Sequence, residues 1–523
     1  VIDSNTEPQP YDAVQIEART SGLIAIELET GRARTIVAPD LVNLVFAISP
    51  NGRHVATLGS VKNAVWVARM LPVNNLSLFA WEGGPSVVLF EGTTSQEFSW
   101  SPDGKAIALT DRDALWIVTP GGGTTRRIAP AGLSLTGEPL WDRQGRSVVC
   151  QSGPDLIELD PSTSHAQTIT SGLPGIKSDP QWSADGTLWF KTADPETGRQ
   201  GVASVVSGSR PVQRFLEDAE LRQVAPCAGG LCFTLQTIAT PENIWRIEPT
   251  TGRREQLTDT NAQTREMSFG TARLMRWQGA EGEQLKGVLL LPAGYREGAR
   301  YPVVVWVYET FSSSLHVFKL HLYNLQVLAN SGYAVLMPDV QFSLGETARS
   351  YESCVLPALD KLVEAGIANG RFGLMGHSFG GFATNILVTR SDRFKAAVAI
   401  AGISDWVSFS GYPGDFMRRS HEQGQGRLGG PLWDDPRRYS ENSPVFHLDK
   451  VATPLLIIHG MEDLGVPFQQ AEAMYYGLRR LRKTATLVAY PGEDHLHWNT
   501  QRAVLRDMWN RILSWFELHL ADR

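Results

Sequence analysis

Two different grammars of apolar and polar positions run along the chain. Up to about residue 262, short alternating segments recur around turn signals: "ISPNGRHVATL" (48–58), "WSPDGKAIALT" (100–110), "WDRQGRSVVCQ" (141–151) and "WSADGTLWFKT" (182–192). The residue before each turn glycine falls at 51, 103, 144 and 185, at intervals of 52, 41 and 41. A second motif follows the first: "GLIAIELETGRARTIVA", "ALWIVTPGGGTTRRIAP", "DLIELDPSTSHAQTITS" and "NIWRIEPTTGRREQLTD". Each motif predicts a strand, a tight turn and a second strand. Four-stranded units at such a period predict a β-propeller, whose blades bury their faces only by stacking on neighbours. The Asn-Gly and Asp-Gly pairs are expected to supply the positive φ of the turns. The aromatic residue ahead of them is expected to pack between blades. About six blade-like units can be counted, the first of them irregular.

After "TDTNAQTREMSFG" (258–270) the grammar changes. Continuous Val/Ile/Leu runs now alternate with helical periodicity: "QLKGVLLLP", "YPVVVWVY" and "GYAVLMPD", then the helical "SYESCVLPALDKLVEAGI". There follow "RFGLMGH", a helix after Ser378, "FKAAVAIAG", "TPLLIIHG", a helix from about Gln469 to Arg482, "ATLVAYPG" and a C-terminal amphipathic helix. Strands apolar on both sides, separated by helices, predict a mostly parallel sheet covered by helices on both faces. Two domains are therefore expected, residues 1–262 and residues 263–523.

Composition narrows the function. The 48 Lys and Arg against 55 Asp and Glu give a net charge of −7, and no basic run offsets it, which argues against a nucleic-acid partner. No apolar stretch reaches the roughly 18 residues of a membrane span. The chain opens at Val1 without a signal-peptide pattern, so either a removed leader or a trimmed start is expected. The compartment stays open, with a processed secreted or periplasmic form ahead of a cytoplasmic one. Cys227 and Cys232 flank the turn "AGGL", which leaves both a cross-strand disulfide and two buried thiols open.

The candidate chemistry centres on "RFGLMGHSFGGFATNILV" (371–388). In a chain with 49 glycines a G-x-S-x-G match alone is weak, but this one sits where a strand ends and a helix begins. A serine needs a base to take its proton and a carboxylate to hold that base. Asp463 ends the strand "LLIIHGMED", and His495 ends the next, "LVAYPGEDH", giving the order Ser378, Asp463, His495. Gly376 and Gly380 are expected to come close across the elbow. Phe379 is expected to offer its N–H to an oxyanion at a helix N-terminus. Glu462 and His497 are the alternative acid and base. His377 and His459 are expected to be structural, and Asp405 comes too early along the sheet. No His/Cys/Glu cluster has metal spacing, so no metal or cofactor is expected.

A propeller followed by "GHSFGG", "HGMED" and "YPGEDH" resembles the prolyl oligopeptidase family of serine peptidases, including its acylaminoacyl- and dipeptidyl-peptidase branches. The run "YSENSPVFHLDKVATPLLIIHG" strengthens the likeness. The resemblance implies a gating β-propeller, an α/β-hydrolase catalytic domain, and the triad Ser378, Asp463 and His495. It also implies an oxyanion hole made by the Tyr308 hydroxyl and the Phe379 N–H, and cleavage of short peptides.

Two positions depart from the family pattern. Glu309-Thr310-Phe311 follow the tyrosine where two glycines and a proline are usual, and Gly465 stands two residues after the acid where several branches have arginine. Glu309 thereby becomes a candidate substrate contact. Arg427, with Arg418 and Arg419, could replace the missing arginine, against the alternative that "GYPGDFMRRSHEQGQGRLGG" is a solvated loop. The expected function is acyl-bond hydrolysis through an acyl-enzyme. Short peptides are the first substrate class, small esters or amides the alternative, and a catalytically silent propeller scaffold the least favoured.

Overall fold

The computed structural model describes residues 21–520, except 62–65, 68–70, 73, 122–123, 250, 319–322, 412–419 and 496–501. The chain forms two compact units, residues 1–235 with 243–259, and residues 236–242 with 260–523.

The first unit contains, among the described residues, five larger sheets in succession, one of five strands and four of four, and a two-stranded ribbon that pairs Trp66–Val67 with Leu71–Pro72. In the four-stranded sheets neighbouring strands follow one another along the chain, as a propeller blade requires. In the second sheet "WSPDGKAIALT" bridges Phe98–Trp100 and Ile107–Asp111, and "ALWIVTPGGGTTRRIAP" bridges Ala114–Val118 and Thr125–Ile128. Against the roughly six units counted in the sequence, five larger sheets lie among the described residues. The first two motifs share one sixteen-residue strand, Ala33–Ile48, which pairs with Ser21–Ile26 on one side and His54–Val61 on the other.

The turns also differ from expectation. Gly52, Gly104 and Gly186 do adopt positive φ, at 70°, 70° and 81°. Asn51, Asp103 and Asp185 instead stay at negative φ and use their carbonyl or carboxylate oxygens. Asp103 Oδ1 accepts from Ser101 Oγ at 2.7 Å and from the Lys105 N–H at 3.1 Å, which closes a longer turn than a two-residue hairpin. Cys227 and Cys232 are disulfide-bonded with Cα atoms 5.8 Å apart, and Cys150 and Cys354 are free and buried.

Side chains alternate between the core on one side of each sheet and that on the other. Ile107 and Leu109 pack with Ala56 and Leu76 of the preceding sheet, whereas Ala108 and Leu115 pack with Val148 and Ile157 of the next. The turn-side tryptophans join these layers. Trp100 Nε1 donates to Ala47 O at 3.2 Å, and Trp141 Nε1 donates to Ser99 O at 3.3 Å.

The second unit is built on one eight-stranded sheet. Its strands are β1 (Ala272–Gln278), β2 (Gln284–Leu290), β3 (Tyr301–Trp306), β4 (Ala334–Pro338), β5 (Ala368–His377), β6 (Phe394–Ile400), β7 (Leu455–Gly460) and β8 (Ala485–Tyr490). Their spatial order is β1-β2-β4-β3-β5-β6-β7-β8. β2 runs antiparallel to both neighbours, and the pairs from β4 through β8 are parallel. Helices α1 (Thr347–Glu364), α2 (Phe379–Arg390) and α3 (Gln469–Arg480) cover one face, and α4 (Arg502–Leu520) lies on the other. The apolar runs explain this directly. Val303 and Val305 enter the first core while Val304 and Trp306 enter the second, and Leu455 and Ile457 alternate likewise with Leu456 and Ile458. Among the described residues no helix is long and apolar enough to cross a membrane.

Replacing Trp141 by Phe removes the indole donor from a buried layer. The expected cost is about 1–2 kcal/mol, against under about 0.5 kcal/mol for Trp433→Phe, whose side chain is 79% exposed. Urea midpoints of the two variants test this, and equal shifts would remove the inter-sheet bond from the account.

Candidate active site

The site forms where the carboxyl ends of β5, β7 and β8 meet. At the end of β5 the chain must reverse into α2, and Ser378 carries that reversal with φ 58° and ψ −118°. Such a conformation is costly for a residue with a Cβ and persists only where its surroundings enforce it. The enforcement is visible in the glycines. A Cβ on Gly376 would lie 2.5 Å from the carbonyl carbon of Gly380, and one on Gly380 would lie 3.2 Å from that of Val307. The Ser378 N–H is tied to Ile400 O of β6 at 2.9 Å. Phe379 opens α2, so its N–H is one that the helix itself leaves without a partner.

His495 accepts the serine. Its Nε2 lies 2.8 Å from Ser378 Oγ, and its Nδ1 lies 2.7 Å from Asp463 Oδ2. The three residues sought in the sequence are thus brought into one hydrogen-bonded chain. Asp463 is fully buried at its side chain. Its Oδ1 accepts the N–H groups of Gly465 at 2.8 Å and Val466 at 2.7 Å. His459 Nε2 sits 3.2 Å from Oδ2 and 2.9 Å from Val466 O, so its N–H faces both. Burial pushes the Asp463 carboxyl up, but the bonds from His459 and His495, the attraction of His495 and the Val466 N–H outweigh it. The net result holds the group well below the usual carboxylate range. His459 is therefore more than a loop histidine, being a second donor to the acid; its position four residues ahead of Asp463 was the available signal.

The remaining candidates separate cleanly. Glu462 is exposed. Asp405 caps the short helix Trp406–Phe409 by accepting from the Val407 N–H at 2.9 Å. His497, Arg418 and Arg419 lie outside the described residues. His377 is buried, and its ring lies 4.8 Å from that of His495 and 5.0 Å from that of Tyr323. Its Nε2 is 3.1 Å from the His495 carbonyl oxygen, so it supports the base from behind. Burial, then the neighbouring His495, pushes the His377 ring down to about 3, which keeps it a neutral donor.

Gly465 has a steric reason. A Cβ there would come within 3.0 Å of His495 Cγ and 3.2 Å of Cδ2, so a side chain at this position would press on the base. Glu309 and Arg427 meet each other, with Arg427 Nη2 2.7 Å from Glu309 Oε1. Gln425, which sequence reasoning missed, donates through Nε2 to Tyr308 O–H at 3.1 Å and to Glu309 Oε2 at 2.9 Å. The segment around them is not a solvated loop in its described part, for His421, Glu422 and Leu428 are buried.

Residues 318–523 match the model of the prolyl oligopeptidase family. An uncharacterized peptidase of Bacillus subtilis, YuxL, is 27% identical over 384 residues, covering 69% of this chain and 56% of the relative. Dipeptidyl-peptidase 5 of Porphyromonas gingivalis is 23% identical over 458 residues, covering 78% of this chain and 65% of the relative. The chain thus spans less than two thirds of either relative's length. A puromycin-hydrolyzing peptidase of Mycobacterium tuberculosis superposes with a TM-score of 0.72 at 19% identity, over 97% of this chain and 84% of that one. This likeness establishes the fold, a propeller followed by an α/β-hydrolase.

The buried neutral His377 makes a thermodynamic prediction. A ring held near 3 when folded, against an ordinary 6.5, takes up its proton only on unfolding across that window. Stability is then complete above about pH 6.5 and falls as pH drops toward 3, by roughly 1.4 kcal/mol per pH unit for one proton. Urea midpoints of His377→Gln between about pH 4 and 6.5 should show a slope shallower by one proton. Equal slopes would mean that the ring titrates normally in the folded protein.

Proposed function

Because residues 318–523 match the model of the prolyl oligopeptidase family, we propose that the chain is a serine peptidase of that family that hydrolyses short peptides through an acyl-enzyme on Ser378. The observation that carries this reading is the unbroken chain Ser378 Oγ–His495 Nε2, His495 Nδ1–Asp463 Oδ2, at 2.8 and 2.7 Å, built on a strained elbow.

In this mechanism Ser378 Oγ attacks the acyl carbon while its proton passes to His495 Nε2. The buried Asp463 carboxylate stabilises the imidazolium and holds its tautomer. The acyl oxygen becomes an oxyanion that the Tyr308 hydroxyl and the Phe379 N–H receive, each donor worth roughly 3–4 kcal/mol in the transition state. Collapse expels the amine, which takes the proton from His495. Water then attacks the acyl-enzyme, gives a proton to the same nitrogen, and releases Ser378 and the acid. The groups needed for both half-reactions are residues of this chain.

A second reading is favoured by one observation. Where several family branches carry an arginine, this chain has Gly465, and a Cβ there would press on His495 at 3.0 Å from Cγ. A site without that clamp on a substrate carbonyl suits a small ester or amide, since an ester needs less positioning to react. Peptide hydrolysis remains the first reading, because the relatives named above are peptidases.

The test compares kcat/KM over short peptide amides and matched simple esters, with Ser378→Ala and Tyr308→Phe alongside. The peptidase reading expects amide cleavage that depends on residues flanking the bond, and its abolition in Ser378→Ala. It also expects a fall in kcat of about 10²–10³ in Tyr308→Phe. Turnover of esters alone, beyond their intrinsic reactivity, would favour the second reading, and failure of a serine-directed phosphonate to label Ser378 would sink both.

A further inference from the structure

A phenol can give its hydrogen in one direction only, so an oxyanion donor must have its hydroxyl turned correctly before substrate arrives. Tyr308 is fixed at its backbone, where its carbonyl accepts from Tyr351 O–H at 2.8 Å, and its ring meets Phe379 edge-on at 6.4 Å. Neither contact sets the direction of its O–H. The residue next in sequence is a carboxylate, Glu309, an acceptor that would compete for that hydrogen.

Gln425 stands between the two. A single side-chain atom lies 3.1 Å from Tyr308 Oη and 2.9 Å from Glu309 Oε2. That atom must be the amide nitrogen, because an amide oxygen would face the carboxylate oxygen with no hydrogen between them. One N–H therefore goes to Glu309 and the other to the phenol oxygen, which becomes an acceptor toward Gln425 and must direct its own hydrogen elsewhere. Arg427 completes the arrangement. Its Nη2 donates to Glu309 Oε1 at 2.7 Å and its Nη1 to the backbone carbonyl of Gln425 at 2.7 Å. The guanidinium also lies 4.1 Å over the Phe342 ring, which packs 6.0 Å from Phe379. The segment is anchored from α1, where Thr347 Oγ1 donates to Gly426 O at 2.7 Å.

We propose that Gln425, oriented by Glu309 and Arg427, is a positioning residue that turns the Tyr308 O–H toward the oxyanion, and that Arg427 neutralises a carboxylate which would otherwise oppose the developing charge. On this view Glu309 and Arg427 act on the reaction through Tyr308 and not by touching substrate. The proposal rests on the oxyanion role of Tyr308 in the proposed function.

The experiment measures kcat and KM for wild type, Gln425→Glu, Tyr308→Phe and the double variant on the best substrate of the panel, with Ser378→Ala as blank. A carboxylate at 425 accepts from Tyr308 and turns its hydrogen away. Gln425→Glu should thus lower kcat tenfold or more, bounded by the ~10²–10³ lost with the donor itself, and change KM less than about twofold. In the Tyr308→Phe background the same substitution should cost several-fold less in kcat, because there is no hydroxyl left to orient and only the added charge remains. If Gln425→Glu does not fold, Gln425→Ala replaces it, with a smaller loss that vanishes beside Tyr308→Phe. Equal losses in both backgrounds, an effect confined to KM, or no loss would overturn the role of Gln425 while leaving the hydrolase reading intact. A Tyr308→Phe variant with full activity overturns the proposal too, and turnover that survives Ser378→Ala overturns it together with the proposed function.

Discussion

A carboxylate without water around it must be surrounded by donors, and the Asp463 side chain, fully buried, is surrounded by four: two backbone N–H groups from its own loop, His495 and His459. The loop after β7 is shaped by this requirement. Gly465 and Val466 fold back so that their amides reach Oδ1, which brings Gly465 against the His495 ring. The imidazole is then held from several directions, by the acid at Nδ1, by the His377 ring beside it and by the His377 bond to its carbonyl oxygen. With so little freedom left, its Nε2 points at one place, and the elbow of β5 and α2 delivers Ser378 Oγ there.

The strain at the elbow is sustained by the sheet. β5 lies between β3 and β6, and each neighbour touches the turn: Val307, just past β3, fills the space a Cβ on Gly380 would need, and Ile400 at the end of β6 accepts the serine N–H. Relaxing Ser378 to ordinary dihedrals would mean breaking contacts with strands whose side chains are buried on both faces. A deep core on either side of the sheet is thus the condition for an unfavourable backbone at its edge.

Much of this was legible in the sequence, for identifiable reasons. Short Val/Ile/Leu runs bounded by turn residues and alternating with helical patterns mark strands covered on both sides, so "YPVVVWVY" and "PLLIIHG" announced the central sheet. The close glycines around Ser378 announced an elbow, because only a tight reversal needs them. Other features had no local signature. The division of the first unit into sheets is harder to read, because Ala33–Ile48 belongs to two motifs at once and periodicity cannot reveal a shared strand. Asn51 and Asp103 looked like residues chosen for positive φ but serve as acceptors, a choice that depends on loop length. The contacts of Gln425 with Tyr308 and Glu309 join positions more than a hundred residues apart. Nothing in "HEQGQGRL" distinguishes that glutamine from its neighbours.

The layered interiors of the first unit carry a different consequence. Each is shared by two consecutive sheets, with alternate residues of a strand committed to one side or the other. Such an assembly is modular in the evolutionary sense. A duplication or deletion of one repeat, 41 residues at the regular spacing, alters a single pair of interfaces and leaves every other interior as it was. Lineages built this way can change their tally of sheets cheaply, whereas the catalytic unit, whose one sheet threads two continuous cores, has no such seam at which to gain or lose a piece.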